Sequence, residues 1–314
     1  MSGQRVVIAG ASGFMGRYFT RRFREDGDTV VTIGRSGADV TWGDTAAVEA
    51  AVDGADLLLN LAGKSVNARY NDTTRAAIFS SRLLTTAELG RAVEAVDNPP
   101  ALWLNSSTAT IYRHADDRPM TDETGQLGSG FSVNVATSWE REFFAHPRAG
   151  VRQVALRMAI VLGDGSALAP LLALTRVGLG GTQYGGKTRG GRQMFSWIHI
   201  DDVYRAIRFI QSTPAIEGPV NVSAPNPVPN VELMATLRRV VGAPFGIPLF
   251  RWMLELGSFA IRTETELLLK SRWVVPTRLL AEGFEFEYPD LEGAVRQITG
   301  GGSPADEQIE SARG

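Results

Sequence analysis

The residues best placed to do chemistry come first in the chain. In "VVIAGASGFMG", Gly10, Gly13 and Gly16 stand in the order G-x-x-G-x-x-G between an apolar run and a helix-like segment. A turn that lets backbone approach a diphosphate needs residues without side chains, and the helix start behind it offers N–H groups and a favourable dipole. Gly10, Ser12, Gly13, Phe14, Met15 and Gly16 are therefore expected to hold a dinucleotide. The next apolar run ends in "TIGRSG", which sets Arg35 nineteen positions after Gly16. An NAD-binding chain carries an acid there for the ribose 2′-hydroxyl. A carboxylate would repel a 2′-phosphate, whereas a guanidinium accepts it through charge-assisted bonds of about 1.5–3 kcal/mol, roughly 10- to 150-fold in affinity. Arg35 with Ser36 thus points to NADP(H) rather than NAD(H). Leu61, Ala62 and Gly63 of "NLAG" are small or apolar residues at a strand end, where the chain can pass over the cofactor.

Other chemistries are excluded by composition. The chain has no cysteine, so thiolate catalysis and Cys-based metal sites are out, and His114, His146 and His199 show no metal-ligand spacing. No metal is expected. A net charge of -2 and a pI near 6.0 give no reason to expect nucleic acid or an anionic membrane as partner. The first apolar run begins at Arg5-Val6, leaving no room for a signal peptide. The most apolar stretch, "FGIPLFRWMLELGSFAI", is interrupted by Arg251 and Glu255. A cytoplasmic protein with a small-molecule substrate is the expectation, and the composition sets neither that substrate nor the oligomeric state.

These residues need a scaffold, and the patterning supplies one. Apolar runs "RVVIAG", "TVVTIG", "ADLLLNLAG", "ALWLNSS" and "RQVALRMAIVLG" alternate with helix-length segments at 14–27, 72–96 and 131–147. Near-continuous apolar strands separated by helices predict an α/β fold, a Rossmann doubly wound parallel sheet. After residue 164 come a helix (167–178), the glycine-rich "GLGGTQYGGKTRGGRQ", a strand "MFSWIHI", a helix N-capped by Asp201 or Asp202, a strand "PVNVS" and further helices. The predicted organisation is a cofactor-binding domain over 1–164 to which 196–223 returns. A smaller C-terminal α+β lobe then spans 165–195 and 224–302, with a frayed tail at 303–314.

The order "GASGFMG", "NLAG", "SSTATIY" resembles the extended short-chain dehydrogenase/reductase superfamily, the group of sugar-nucleotide epimerases and dehydratases. That resemblance implies a Ser/Thr–Tyr–Lys relay, in which a tyrosinate takes the substrate proton and the lysine lowers its pKa. Thr108, four residues before Tyr112, matches the hydroxyl position, with Ser107 beside it. The tyrosine–lysine pair is missing. Four residues after Tyr18, Tyr70, Tyr112, Tyr184, Tyr204 and Tyr288 stand Arg22, Thr74, Asp116, Thr188, Arg208 and Glu292. Where the pair belongs stand Ser132 or Val133 and Ala136 or Thr137. Tyr112 and Glu140 are the remaining acid–base candidates, and Glu140 reads more readily as a structural partner.

"SRLLTTAEL", "TSWERE", "VLGDGSAL", "GRQMFSWIHIDD" and "VVPTRLLAEGFEFEYPDLEGAV" resemble an atypical branch of that superfamily, catalogued as epimerase-family proteins and in part as cell-division-inhibitor-like. The resemblance covers almost all of 5–299 and implies NADP-type binding, a C-terminal helical extension and absence of the Tyr/Lys pair. Two positions depart from it: Arg113 replaces a glycine, and "TQYGGKTRGG" lengthens a loop. Where sugar-nucleotide enzymes hold the diphosphate with arginine, this chain has Phe195, with Arg192 and Gln193 just upstream. Arg82, after "NLAG", and Arg157, in "ALRMAIVLG", are the arginines expected to reach the cofactor site. Trp197 and His199 are expected in the core. The expected function is an NADP(H)-dependent oxidoreductase of a small carbonyl or hydroxyl compound. The alternatives are a non-catalytic NADP(H)-sensing regulator and, third, a nucleotide-sugar epimerase or dehydratase.

Overall fold

The computed structural model of the chain describes residues 3–66, 71–166, 168–184, 188, 190–250 and 270–300. Its strands are β1 (Arg5–Ala9), β2 (Thr29–Gly34), β3 (Val40–Thr41), β4 (Leu57–Asn60), β5 (Leu102–Thr108), β6 (Arg152–Met158), β7 (Ile160–Leu162), β8 (Met194–Phe195), β9 (Trp197–His199), β10 (Gly218–Val222) and β11 (Val228–Pro229). The helices are α1 (Phe14–Glu25), α2 (Thr45–Val52), α3 (Asp72–Ala95), α4 (Phe131–Phe144), α5 (Leu168–Arg176), α6 (Ile200–Ser212), α7 (Asn230–Val241), α8 (Thr277–Ala281) and α9 (Leu291–Ile298). Seven strands form one sheet in the order β10-β6-β5-β4-β1-β2-β3, and β1 pairs parallel with both β2 and β4. The order reverses beside β1, so the turns after β1 and β4 open at one sheet edge, where ligands of such sheets bind.

The strands read as unbroken apolar runs because helices cover both faces: Val6–Ala9 and Leu57–Leu59 are completely buried. Trp103 of β5 and Phe143 of α4 lock one helical layer to the sheet through an edge-on ring contact at 4.8 Å. α2, only eight residues long, was not among the predicted helices. Asp44 caps it by accepting the Ala47 N–H at 3.1 Å.

Contacts group the chain into two units. The first comprises Met1–Ile111, Ser129–Arg157 and Arg208–Val220, and the second Tyr112–Gly128, Met158–Ile207 and Asn221–Gly314. Contacts group 158–164, 196–207 and 221–223, expected with the cofactor domain, with the second unit. The expected partition also places 112–128 with the cofactor domain. In the second unit this segment is held by the Tyr112 hydroxyl, which donates to Asn221 Oδ1 at 2.7 Å, and by a bridge between Met120 and Val274. α5, α7 and α9 share a core with Leu162 and Trp197, which is fully buried as expected.

The predicted cap of α6 needs correction. The helix begins at Ile200, so Asp201 and Asp202 lie inside its first turn. Asp202 is fully buried and instead accepts the N–H groups of Glu287 and Tyr288 at 2.8 and 2.9 Å, tying the C-terminal segment to α6. Predictions for 251–269 and for the tail lie outside the described residues. Among the described residues no helix is long and apolar enough to cross a membrane, and no cluster of His, Asp and Glu could hold a metal.

Candidate dinucleotide site

The glycine turn is built as the spacing predicts. Gly10 has φ +85°, and a Cβ there would stand 2.8 Å from the backbone of Leu61 and Ala62. The β1 turn therefore lies backbone-to-backbone against "NLAG". A Cβ on Gly16 would enter the Gly10 carbonyl. Gly13 is different: its backbone is extended (φ -72°, ψ 172°), and a Cβ there would meet only the Gly10 oxygen, at 3.4 Å. Packing thus explains glycine at 10 and 16 but leaves it unexplained at 13. Gly13 is the N-cap of α1. No side chain caps that helix, and no acid stands in its first turn. The first intrahelical donor is Arg17 N, to Gly13 O at 3.0 Å, so the N–H groups of Phe14, Met15 and Gly16 precede the ladder and suit an anion.

Beside this turn lies an open depression of about 670 Å³, within the range of ligand sites. Its wall includes Ser12 and Ser36 together with Arg17, Thr20, Arg21 and Arg24 of α1. Arg35 is exposed and stands outside this lining, although Gly34 and Ser36 on either side of it belong to it. Asp39, also in the wall, accepts Thr32 N and Oγ1 at 2.8 and 2.7 Å, and those bonds hold its carboxyl below the usual carboxylate range. The α1 arginines were missed from sequence because 17, 21 and 24 look like a solvated helix face. Their i, i+4, i+7 spacing was the available signal.

"NLAG" is fixed from below. Asn60 Nδ2 donates to Asn105 Oδ1 at 2.7 Å and to Thr86 Oγ1 at 3.0 Å, while its Oδ1 takes the Ala62 N–H. Trp139 Nε1 donates to the same Thr86 hydroxyl at 2.9 Å. Arg82 lies against Gly63, donates to the Lys64 carbonyl at 3.0 Å, and places its guanidinium 5.0 Å from the Trp139 ring centre. It is seated as a clamp on the loop.

At the end of β5, Ser107 Oγ donates to Glu140 Oε1 at 2.6 Å. Arg157 meets the same carboxylate with two bonds, Nε to Oε1 at 2.9 Å and Nη2 to Oε2 at 2.7 Å. Both ions are largely buried, with side-chain exposures of 12% for Arg157 and 9% for Glu140. Arg157 is thus engaged beneath Ser107, in a pairing that the expected cofactor role did not include. Thr108 Oγ1 accepts the Thr110 N–H at 3.1 Å. Of the candidate relay positions on α4, Val133 and Ala136 are buried and Ser132 and Thr137 half-buried, and Thr137 donates its hydroxyl back to Val133 O. Tyr112 is 1% exposed and bonded to Asn221. In the second unit, Arg192 is exposed and Gln193 buried.

A model described as the NAD dependent epimerase/dehydratase family matches residues 6–222. The chain belongs to this family. Epimerase family protein YfhF of Bacillus subtilis is 31% identical over 304 residues, spanning 93% of this chain and 97% of the relative. The crystal structure of human epimerase family protein SDR39U1 (isoform 2) with NADPH superposes with a TM-score of 0.83 at 29% identity, covering 94% of this chain and 99% of that one. A nucleoside-diphosphate sugar epimerase from Corynebacterium glutamicum has a TM-score of 0.76 at 27% identity, over 99% of this chain and 61% of its own. A second model, described as a domain of unknown function (DUF1731), matches residues 249–298 of this epimerase/dehydratase family member.

Proposed function

We propose that the protein is a cytoplasmic NADP(H)-dependent oxidoreductase of a small carbonyl or hydroxyl compound. The observation that carries this reading is the uncapped start of α1 at Gly13, a glycine whose packing does not require it, beside an arginine-bearing depression. The NADPH in the human relative's structure supports the same cofactor here. Gly10, Ser12, Gly13, Phe14, Met15 and Gly16 would hold the diphosphate, and the backbone of Leu61–Gly63 would pass along the cofactor. Bound there, the cofactor would supply or accept a hydride at its nicotinamide.

The chain's own residues do the rest. Thr108 Oγ1 already accepts a backbone N–H, which leaves its hydroxyl proton to orient a substrate oxygen. Ser107 has committed its proton to Glu140 and presents only lone pairs. With no tyrosine–lysine pair, the substrate proton is exchanged with solvent, and turnover forgoes the about 10²- to 10⁴-fold that general acid–base help contributes.

The test is a panel of small aldehydes and ketones with bound NADPH, followed by nicotinamide absorbance. Slow oxidation by at least one supports the reading. NADPH that binds yet is never oxidised favours the second reading, a redox-sensing regulator. That alternative draws on the α4 face, where buried Val133 and Ala136 replace the relay. Partner binding that is identical with NADPH, NADP⁺ and no nucleotide would refute it. A nucleotide-sugar epimerase ranks third, because Phe195 stands where the diphosphate arginine is expected.

A further inference from the structure

A small cavity of about 30 Å³ lies within the second unit, bounded by residues of β7, β8, α5 and α7 and by the segment that opens at Lys270. Roughly 10–15 Å³ holds one water, so the cavity admits about two to three water-sized groups and no nucleotide. Ile160, Leu171 and Leu233 give it apolar lining, and Gln193, Lys270 and Arg272 give it polar lining.

Most of the polar groups around it are matched within the chain. Gln183 N donates to Asn230 Oδ1 at 2.8 Å, and Asn230 Nδ2 donates to Gln183 Oε1 at 3.2 Å. Gln193 differs. Its Nε2 donates to the Gln183 carbonyl at 2.8 Å, and that bond fixes the amide's orientation, because an amide oxygen turned there would face another oxygen. Gln193 is only 3% exposed, and its Oε1 has no hydrogen-bond partner among the described residues. A buried acceptor left unmet calls for a donor from outside the chain. Cationic groups stand around the same space. Arg272 is buried, with its N–H held by Met194 O at 2.8 Å and its carbonyl by Ser196 Oγ at 2.8 Å, and Lys270 is half-buried. Among the described residues no carboxylate lines the cavity.

We infer that this cavity is a binding site for a small hydroxy acid, its carboxylate facing Arg272 and Lys270 and its hydroxyl donating to Gln193 Oε1. A carboxylate alone answers the cations and leaves Oε1 unmet, and a neutral alcohol does the reverse. The apolar lining suits a ligand with a carbon skeleton over an inorganic oxyanion such as bicarbonate. The inference concerns the second unit and does not draw on the NADP(H) reading, whose residues lie in the first.

The experiment titrates the full chain with glycolate, acetate, ethylene glycol and bicarbonate, followed by NMR, and repeats the series on Gln193→Met and Arg272→Met. Glycolate is expected to bind the wild type about two- to tenfold more tightly than acetate, the worth of one neutral hydrogen bond, and more tightly than bicarbonate, while ethylene glycol shows no binding. Gln193→Met brings glycolate down to the level of acetate. Arg272→Met weakens both acids at least about tenfold. Should either variant fail to fold, the comparison of glycolate with acetate on the wild type decides alone. Equal affinities for those two acids overturn the assignment, as does bicarbonate bound as tightly as glycolate, which marks an inorganic oxyanion site. Binding undiminished in Arg272→Met places the acid elsewhere, and no binding of any probe makes the cavity a seat for water; either result overturns the assignment. None of these outcomes bears on dinucleotide binding in the first unit.

Discussion

Replacing Glu140 by alanine removes a carboxylate that holds three hydrogen bonds, one from Ser107 at 2.6 Å and two from Arg157 at 2.9 and 2.7 Å. The two side chains are 9% and 12% exposed, so solvent screens the pair little, and an exposed pair's 0–1 kcal/mol does not apply. Truncation strands the Arg157 guanidinium in the interior and leaves the Ser107 hydroxyl without its acceptor. Breaking a buried pair from one side costs about 3–5 kcal/mol, a large share of a stability on the order of 5–15 kcal/mol. Arg157→Met, which leaves Glu140 uncompensated, falls in the same range. The double variant Glu140→Leu/Arg157→Met removes both charges with little loss of volume and is expected near the wild type, giving a coupling of about 6–10 kcal/mol, the sum of the two single losses. Urea unfolding followed by tryptophan fluorescence reads all four proteins, with Trp139 adjoining the pair, and equal m values keep the comparison valid. A Glu140→Ala cost below about 1 kcal/mol, or a double variant as unstable as the two singles summed, refutes the account of this pair as a closed buried unit.

The remaining predictions concern other sites. Gly13→Ala is expected to leave thermal stability nearly unchanged, since its Cβ meets only one atom at 3.4 Å, yet to weaken NADPH at least tenfold; parallel losses of both would show that the turn needs glycine for packing. Gly10→Ala, forced to φ +85° with backbone 2.8 Å away, should lose about 2–5 kcal/mol of stability irrespective of ligand, visible as a lowered unfolding midpoint. Arg82→Ala frees the Lys64 carbonyl and the Gly63 face, so hydrogen exchange over 61–66 should quicken without a change elsewhere. In the second unit, burial lowers His199 to about 4 and raises Asp201 to about 6. The His199 contribution is complete above pH 6.5 and lost on acidification toward 4, while that of Asp201 is complete below about 3.8 and lost as pH rises through 6. The two oppose each other across pH 4–6.5 and partly offset one another in the wild type. Relative to the wild type, Asp201→Asn should tilt the stability profile upward with pH and His199→Gln downward, and unfolding free energies whose pH dependence matches the wild type in both variants would contradict this.

Much of the fold was legible because a sheet covered on both faces writes its strands as apolar runs, and Val6–Ala9 and Leu57–Leu59 are such runs. The short α2, "TAAVEAAV", has too little polar contrast to announce itself, and its Asp44 cap gains meaning only once the helix is seen. Asp201 and Asp202 looked like caps because acids favour helix starts, but the helix opens one residue earlier. Asp202 is then turned onto backbone eighty-five and eighty-six residues away, a distance no local pattern encodes. Arg157 and Glu140 show the same limit at closer range. Each is a charged residue inside an apolar context, and either could reach a ligand until the other is placed opposite it.

The motifs that signalled the atypical branch have a physical explanation. "TSWERE" and "SRLLTTAEL" contribute Trp139 and Thr86, which join each other, and Thr86 carries the network on to Asn60 beneath "NLAG". "TSWERE" also contributes Glu140, which reaches Ser107 and Arg157. These residues form two buried polar networks, in which removing one partner leaves another polar group unsatisfied. The missing tyrosine and lysine belong to the same arrangement. A lysine at Ala136 would sit four residues before Glu140, on a helix position 1% exposed, and would compete with Arg157 for a carboxylate whose bonds are already made. A tyrosine at Val133 would overfill a position 3% exposed. Val133 and Ala136 therefore belong to a packed face with its own ion pair, and placing a tyrosine and a lysine there would disturb that face.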